Sequence, residues 1–510
     1  MKLKQQNIAK GFAILSLANI GVKMLSLLYT PVMRNLFGDG YGIFGAVSEV
    51  FAFIYVIATA GLPVAISKLV SELTSLGNKK AAAQSFKLVR FIMIILGLFI
   101  SIIIIAFAVP IASFMGIREY WQGISILAPT VFVCTILSAY RGYFQGKRNM
   151  TPTAQSQIFE QIVNVGLSIT LVIVLGRFGV VWAVVGSMLG TTFGALTALL
   201  IMLINYRKYK DNFDSGDIGL TADYANCKEM GTAGNSQKYT KNQIIKKIFS
   251  YSIPITLSSG VQYGGNLLDK YLLDWRLKHV GFTYGEITKM YGNLYSARQL
   301  INVPNSMITS LCITVLPAVA AAYALRNRRA TSARADYGFK LCFLLAFPLA
   351  SAMTAFSDQI FRLLHFGSAY GYLMALSFSL LLIGTMQVQS ACLQGVNRLF
   401  TSTVFITISL VLKTIFNYIL IGIPQINIYG AIISTYISVV IPVILNHLVL
   451  TRVKKLKIDL LGNAWRPALC SIVMLAFSMG VYQIFYRLMT WMAKGSLGYL
   501  INAVAFIIAA

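Results

Sequence analysis

Ionisable side chains are scarce in this sequence of 510 residues. Charged types make up 12% of it, about half of the ~25% that is usual in a soluble domain. Acids and histidines are rarest, with 16 Asp plus Glu and 3 His. This scarcity argues against a soluble enzyme and against a disordered chain, because both expose many charged groups to water.

Cysteine is also sparse and carries no recognisable pattern. The six cysteines are scattered, without a C-x-x-C pair or a cluster of Cys with His, so neither a disulfide framework nor a metal site is predicted. The phosphate-binding pattern G-x-x-x-x-G-K-[ST] is missing too. We therefore expect no cofactor, no bound metal and no enzymatic activity.

Apolar residues dominate instead, at 57% of the chain with a mean hydropathy of +0.71. At about 20 apolar residues per crossing, the chain has room for a dozen or more membrane helices. The first apolar run is too long for a signal peptide and is interpreted as a retained helix. The sequence thus predicts an all-α integral membrane protein with about 14 spans, near 11–33, 42–67, 91–115, 123–140, 155–175, 179–205, 248–273, 290–322, 341–357, 371–394, 401–423, 428–450, 467–486 and 495–510.

The distribution of basic residues predicts the orientation. Lys plus Arg number 43, for a net charge of +27. With both termini in the cytoplasm, 30 of them fall in inside loops and 9 in outside loops, as the positive-inside rule requires. The excess of positive charge is therefore assigned to membrane topology, and no nucleic-acid partner is expected.

The chain also shows signs of an internal duplication. Phe144-Gln145-Gly146 matches Leu393-Gln394-Gly395, and Glu160 with Asn164 matches Lys413 with Asn417, at offsets of 249 and 253 residues. Chance matching of common membrane residues is the alternative. We predict an N-lobe over 1–205, a cytoplasmic linker over 206–247, a C-lobe over 248–450, and two further helices in 451–510.

Charges inside the spans mark the candidate site, because each costs ~2.5–3.5 kcal/mol to insert and must face a cavity or a partner. A site lined with cations suits an anionic substrate, since Lys and Arg bind phosphate as point charges and forks. Internal ion pairs, such as Lys23 with Glu49 or Asp269 with Lys413, are the alternative. The candidates are Lys23, Arg34 and Glu49 in the first half and Asp269, Lys270, Arg298 and Lys413 in the second.

Two prolines predict breaks in their helices. Pro63 follows Gly61-Leu62 in the second span, and Pro304 lies in the eighth. Helices interrupted by Gly or Pro often move or bind substrate in transporters, although a packing kink is an equally good explanation. Both are candidate hinges.

Several segments resemble one known family. Residues 59–72, with the sequence TAGLPVAISKLVSE, are similar to a stretch typical of the stage V sporulation protein B and MurJ-type lipid II flippase family. VKML at 22–25, RNLFG at 34–38, and KTIFNYILI at 413–421 followed by GAIIST at 430–435 resemble its first, eleventh and twelfth helices. The resemblance covers the whole chain and implies fourteen helices with two six-helix lobes.

The resemblance also implies roles for single residues. Lys23 stands where the family places an essential arginine, while Tyr29 replaces a second one. Gln299 occupies the position of the cavity arginine of the eighth helix, and Arg298 precedes it. Some relatives bind sodium through an acid of helix seven, which Asp269 matches. Lys413, Asn417 and Thr435 match the other ligand positions, so an Asp269–Lys413 ion pair is expected in place of the metal.

The implied function is export of an undecaprenyl-pyrophosphate-linked peptidoglycan precursor, or a related oligosaccharide-lipid, across the bacterial cytoplasmic membrane. Alternating access driven by the membrane potential or an ion gradient would move it, and the last two helices would offer a groove for its lipid tail. We expect a monomer that contacts membrane lipids, with cell-wall polymerases as possible partners. The alternatives are a cation-coupled drug exporter of the same superfamily and a membrane glycosyltransferase; the latter is disfavoured because the longest outside loop, 274–289, lacks closely paired acids.

Overall fold

The protein consists of helices joined by turns throughout the residues that its computed structural model describes: 8–59, 61–75, 79–147, 149–214, 241–396, 398–453 and 455–492. Three short 3-10 helices and a π-helical turn at Val449–Val453 accompany the α-helices. In chain order the α-helices are α1 Ile8–Phe37, α2 Tyr41–Thr59, α3 Gly61–Ser75, α4 Lys79–Ala106, α5 Ala108–Phe114, α6 Trp121–Ser125, α7 Leu127–Gly146, α8 Thr151–Leu175, α9 Val180–Asp214, α10 Lys241–Val280, α11 Tyr284–Ala324, α12 Arg328–Ala355, α13 Ser357–Leu363, α14 Tyr370–Ser377, α15 Ser379–Gly395, α16 Leu399–Ile421, α17 Tyr429–Leu448 and α18 Leu460–Met492.

The all-helical membrane fold predicted from the sequence is confirmed. Among the described residues, ten stretches are long and apolar enough to cross a membrane, or eleven if α14 and α15, bent by 40° at their junction, form one span. One of these stretches, Leu17–Ser67, covers most of the first predicted span and all of the second. The predicted span at 495–510 lies outside the described residues. The count of fourteen and the orientation stay predictions.

Helix boundaries differ from the prediction in three places. The second predicted span is divided into α2 and α3, so Pro63 occupies the first turn of α3, where proline is tolerated because no intrahelical bond is lost. The fourth runs on to Gly146, which brings Arg141 inside a helix. Residues 206–214 and 241–247 of the predicted linker extend α9 and α10, and 215–240 lie outside the described residues.

The chain divides into two compact units. Unit 1 comprises Met1–Ser26 and Val47–Tyr263, and unit 2 comprises Leu27–Ala46 and Gly264–Ala510. The end of α1 and the start of α2 thus group with unit 2. The predicted lobe boundaries at 205 and 248 stay predictions.

The core of unit 1 forms where α3, α4 and α7 pack together. Phe86 of α4 is buried and its ring lies 4.3 Å from that of Tyr143 and 5.4 Å from that of Tyr206, centroid to centroid. Leu62, Ile66 and other apolar side chains of α3 join the same cluster. Aromatic pairs add to the packing that holds membrane helices together, since apolar burial alone drives little association in lipid.

Two glycines of α7 let α3 approach it closely. Gly142 and Gly146 are spaced as in the G-x-x-x-G motif of membrane helix pairs. A Cβ atom at Gly142 would lie 2.6 Å from the carbonyl oxygen of Pro63, and one at Gly146 would lie 2.7 Å from that of Ser67. Backbone atoms of α3 therefore fill the space that a side chain would need.

Gly142→Ala is expected to lower the free energy of unfolding by about 1–3 kcal/mol, because the new methyl group overpacks against backbone atoms that cannot move aside. Gly166→Ala on α8 is the matched control, since nothing lies within 4 Å of its added Cβ and alanine is the better helix former. Thermal unfolding of the two purified variants in the same detergent measures both. Equal stability of the two variants would contradict the close packing of α3 on α7.

Unit 2 is built around α11, which packs against α12 and α15. Small residues make these contacts possible: Gly338 of α12 lies against Val315, and Gly395 of α15 lies against the backbone of Leu316. The buried rings of Phe339 and Phe361 fill the space further along the helices. α16 and α17 pack side by side. The charged residues described next lie on α10, α11 and α16, and α17 contributes a hydroxyl group to them.

Candidate functional site: buried charges in the two units

A single buried carboxylate organises the charges of unit 2. Asp269 of α10 accepts a hydrogen bond from Lys413 Nζ at 2.5 Å and from Arg298 Nη2 at 3.2 Å, both at Oδ2. Its side chain is only 4% exposed, whereas those of Arg298 and Lys413 are 17% and 18% exposed. Two cations thus share one acid. Asp269, Arg298 and Lys413, which we call the Asp269 group, carry a net charge of +1, and most of their accessible surface belongs to the two cations.

A second layer of polar groups holds the carboxylate in place. Asn417 Nδ2 of α16 donates to Asp269 Oδ1 at 2.6 Å, and the Ser434 hydroxyl of α17 donates to Asn417 Oδ1. Thr435 Oγ1 instead donates to the Ala431 carbonyl of its own helix at 2.8 Å. The hydroxyl that joins the network is therefore that of Ser434, one residue before the threonine that the sequence suggested.

One turn further along α10 lies a self-contained ion pair. Lys270 is buried and donates to Asp274, four residues later on the same helix. The Lys270 ammonium also lies 4.7 Å from the centre of the Tyr291 ring, a favourable position for a cation over an aromatic face. This pair neutralises itself and adds no net charge to the Asp269 group.

Arg34, the arginine at the end of α1, is buried in unit 2. Its guanidinium donates to the Gly38 carbonyl at 3.1 Å and to the Asn293 side-chain oxygen. It also lies 5.4 Å from the centre of the Tyr41 ring. These contacts tie the turn between α1 and α2 to α11.

Unit 1 contains the other two candidates of the first half. Lys23 is exposed on α1, and three residues later the Ser26 hydroxyl accepts a hydrogen bond from Gln161 Nε2 of α8 at 3.1 Å. Glu49 is buried on α2. Lys23 thus presents an accessible ammonium on a helix that a polar contact fixes to its neighbour.

Arg141 and Glu160 form an interhelical ion pair in unit 1. Arg141 Nη2 of α7 donates to Glu160 Oε2 of α8 at 2.6 Å, and Arg141 Nε donates to the Ser156 hydroxyl at 3.0 Å. The side chains are 11% and 24% exposed. Removing one partner of such a pair leaves a charge without compensation at membrane depth.

We expect Arg141→Gln and Glu160→Gln each to lower the thermal stability of the protein, whereas the double variant regains much of the loss. The coupling free energy of the cycle should be about 1–3 kcal/mol, as for contacting residues in one network. Thermal unfolding of the four proteins in one detergent gives this value. A coupling near zero would mean that the pair contributes nothing to the association of α7 with α8.

The remaining predicted positions are placed as follows. Gln299 is half-buried beside Arg298 on α11, but it is Arg298 that reaches Asp269. Pro304 is buried, and α11 continues through it. Pro63 is half-buried and contacts α7 at Gly142.

The contacts of Lys270 with Asp274, of Arg141 with Glu160 and of Ser434 with Asn417 were not predicted from the sequence. Lys270 and Asp274 are four residues apart, the spacing of helix ion pairs. The predicted fourth span ends at residue 140, one residue before Arg141, whereas α7 continues to Gly146. The sequence therefore predicted no helix on which Arg141 could pair with Glu160. Nothing in the sequence distinguishes Ser434 from Thr435, since both are hydroxyl residues near the start of α17.

Comparisons with known proteins agree with this architecture. A family model described as "Polysaccharide biosynthesis protein" matches residues 8–322, and one described as "MatE" matches 297–419. Stage V sporulation protein B of Bacillus subtilis (strain 168) is 25% identical over 465 residues, covering 90% of this chain and 86% of that protein. Lipid II flippase MurJ of the same organism is 22% identical over 470 residues, covering 87% and 82%.

Solved structures share the fold. An inward-facing multidrug resistance transporter of the MATE family and the MOP superfamily matches with a TM-score of 0.69 and 17% identity, over 86% of this chain and 99% of that one. An outward-facing one matches with a TM-score of 0.62 and 18% identity, over 90% and 100%. This chain belongs to the polysaccharide biosynthesis protein family and is a multi-pass membrane protein, and it shares its fold with these solved transporters.

Proposed function

We propose that this protein flips an undecaprenyl-pyrophosphate-linked peptidoglycan precursor, lipid II, or a related oligosaccharide-lipid across the membrane by alternating access. The observation that carries the proposal is the Asp269 group, in which two partly accessible cations share one buried carboxylate and leave a net charge of +1. Similarity to stage V sporulation protein B and to lipid II flippase MurJ supports a substrate of this class.

Lys23 and Arg298 are the residues proposed to bind the substrate diphosphate. Lys23 offers an exposed ammonium, and Arg298 has an accessible part while its Nη2 is held by Asp269. Hydrogen bonds between ionised donors and phosphate oxygens are among the strongest in proteins. Arg34 has a different role in this scheme: it orients the turn between α1 and α2, because its donors already serve Gly38 and Asn293.

Lys413 is proposed to take the place of a coupling metal ion. Its ammonium lies on Asp269, the carboxylate at which an alkali cation would otherwise bind. Asn417 completes the set with its amide nitrogen on the second carboxylate oxygen. A transport rate of the unmodified protein that depends on sodium would count against this replacement.

The membrane potential is the proposed energy source. A potential of 100 mV is worth ~2.3 kcal/mol per elementary charge moved, and an inside-negative membrane favours export of an anion. Transport should therefore respond to the sign of an imposed potential.

A cation-coupled drug exporter is the second candidate, favoured by the match of residues 297–419 to the "MatE" model. Such an exporter needs an acid available to an organic cation. Asp269 and Glu160 already carry Lys and Arg partners here, which favours the anionic substrate.

Complementation tests the proposed function. The chain is expressed in a bacterium depleted of its lipid II flippase, alongside Lys23→Ala and Arg298→Ala, with membrane levels checked by immunoblotting. Rescue by the wild type and loss of rescue with Lys23→Ala support the proposal. Failure of the well-expressed wild type would reject lipid II as the substrate, and rescue that survives both substitutions would reject the site.

A further inference from the structure

A cluster of exposed bases gathers where the starts of α12 and α18 meet in unit 2. The backbone N–H of Lys457 donates to the Ser332 hydroxyl at 3.1 Å, and that of Asp459 donates to Asp336 Oδ1 at 3.2 Å. Asn463 Nδ2 donates to the same Asp336 oxygen at 2.6 Å. Two segments more than 120 residues apart in sequence are thus pinned together.

The short connection before α18 is anchored by its alternate side chains. Leu456 and Ile458 are buried, so Lys455 and Lys457 point outward between them. The backbone N–H of Leu456 donates to the Leu450 carbonyl at 3.1 Å, which attaches the connection to the π-helical turn that follows α17. This alternation holds the two lysines at the surface beside the start of α12.

We name the resulting surface the basic face. All of its members are exposed, and none makes an ion pair with an acid in the part of the chain that the structure describes. Its acids, Asp336 and Asp459, are engaged in hydrogen bonds with the backbone and with Asn463. The bases of this face are Arg326, Arg328, Arg329, Arg452, Lys455, Lys457 and Arg466.

Large apolar side chains border the basic face. Leu325 is 80% exposed, Leu461 is 83% exposed and Trp465 is 52% exposed. The Arg466 guanidinium lies 5.4 Å from the centre of the Trp465 ring. Tryptophan beside snorkelling arginine is typical of the boundary between acyl chains and headgroups. A binding site for a soluble anion does not require exposed leucines.

We propose that the basic face binds the headgroups of anionic phospholipids, and that this contact anchors the start of α18 against α12. Both segments belong to loops that the positive-inside rule assigns to the cytoplasm, where the leaflet is negatively charged. Two of the bases, Arg328 and Arg329, occupy the first turn of α12, where the helix dipole disfavours cations. A layer of lipid phosphates offsets that repulsion. The proposal is independent of which substrate is transported.

Trp465 provides the readout. The full-length protein is placed in phosphatidylcholine nanodiscs, and brominated phosphatidylglycerol or brominated phosphatidylcholine is added as a quencher. The Trp465 signal is the difference between the protein and its Trp465→Phe variant. We expect phosphatidylglycerol to quench this signal at lower mole fraction, and the preference to weaken as salt is raised.

The decisive comparison is between two triple variants. Arg328→Gln/Arg329→Gln/Lys457→Gln removes three bases of the face and should lower the preference for phosphatidylglycerol about tenfold or more. The control Lys87→Gln/Arg207→Gln/Lys208→Gln removes three exposed bases of other loops assigned to the same side and should keep it. Equal quenching by the two lipids in the unmodified protein would overturn the proposal. An equal loss in the control would also overturn it, because the effect would then belong to the basic excess as a whole.

Discussion

Asp269→Asn is expected to destabilise the protein and to abolish transport, the largest effect of any single substitution in unit 2. The carboxylate compensates both Lys413 and Arg298, and it is nearly inaccessible. Removing one partner of a buried ion pair commonly costs ~3–5 kcal/mol, because the remaining charge stays buried without compensation. Thermal unfolding in detergent and complementation of a flippase-depleted strain measure the two effects.

Asp39→Asn is the matched control for this substitution. Asp39 also pairs with a lysine, Lys289, at 3.4 Å, but the two side chains are 72% and 59% exposed, so the loss should stay below ~1 kcal/mol. The double variant Asp269→Asn/Lys413→Met should recover part of the stability, since it removes one of the stranded cations. If Asp269→Asn unfolded at the same temperature as Asp39→Asn, the network would not be the structural centre of unit 2.

Lys23→Ala is expected to slow transport strongly without changing stability. The side chain is exposed, so its removal leaves no buried charge and creates no cavity. A hydrogen bond to a charged group is worth ~1.5–3 kcal/mol, and its loss should lower the flipping rate at limiting substrate by roughly 10- to 100-fold. Initial rates in vesicles that contain equal amounts of protein measure this effect.

Two further variants sharpen that prediction. Lys23→Arg keeps the positive charge and should retain most of the activity, while Lys87→Ala removes another exposed lysine, on α4, and should retain all of it. A Lys23→Ala protein that flips substrate at the normal rate would remove Lys23 from the binding site. A Lys23→Ala protein that unfolds early would point to a structural role instead.

The identity of the charged residues could be predicted from the sequence, but most of their partners could not. Charges in apolar runs are conspicuous because each is costly in a bilayer, and this reasoning found Lys23, Asp269, Arg298 and Lys413. Their pairing depends on helix rotation and tilt. The sequence offered the pairing of Asp269 with Lys413, 144 residues away, only as an alternative and through the family resemblance. The contact of Asp269 with Arg298 was not expected, and one residue of rotation decides that Arg298 rather than Gln299 reaches the acid.

The helical fold was predictable for a similar reason, and its boundaries were not. Long apolar runs must become helices in lipid, where backbone groups have to be satisfied internally. Where such a helix stops is set by packing, as at Gly142 and Gly146, where the close contact with α3 lies beyond or at the edge of the predicted span. Polar residues 206–214 extend α9 because adding residues to an existing helix is easier than starting one.

Reconstituted flipping tests most directly whether this protein moves an anionic polyprenyl-linked glycan, as we propose. Proteoliposomes holding fluorescent lipid II in both leaflets are given a potential of chosen sign and an impermeant reducing agent that bleaches the outer leaflet. We expect wild-type vesicles to bleach beyond the outer leaflet, faster with one sign of potential, and Lys23→Ala vesicles to bleach beyond it far more slowly. Wild-type vesicles that bleach no further than protein-free ones, with lipid II and with other undecaprenyl-pyrophosphate glycans, would contradict the proposal.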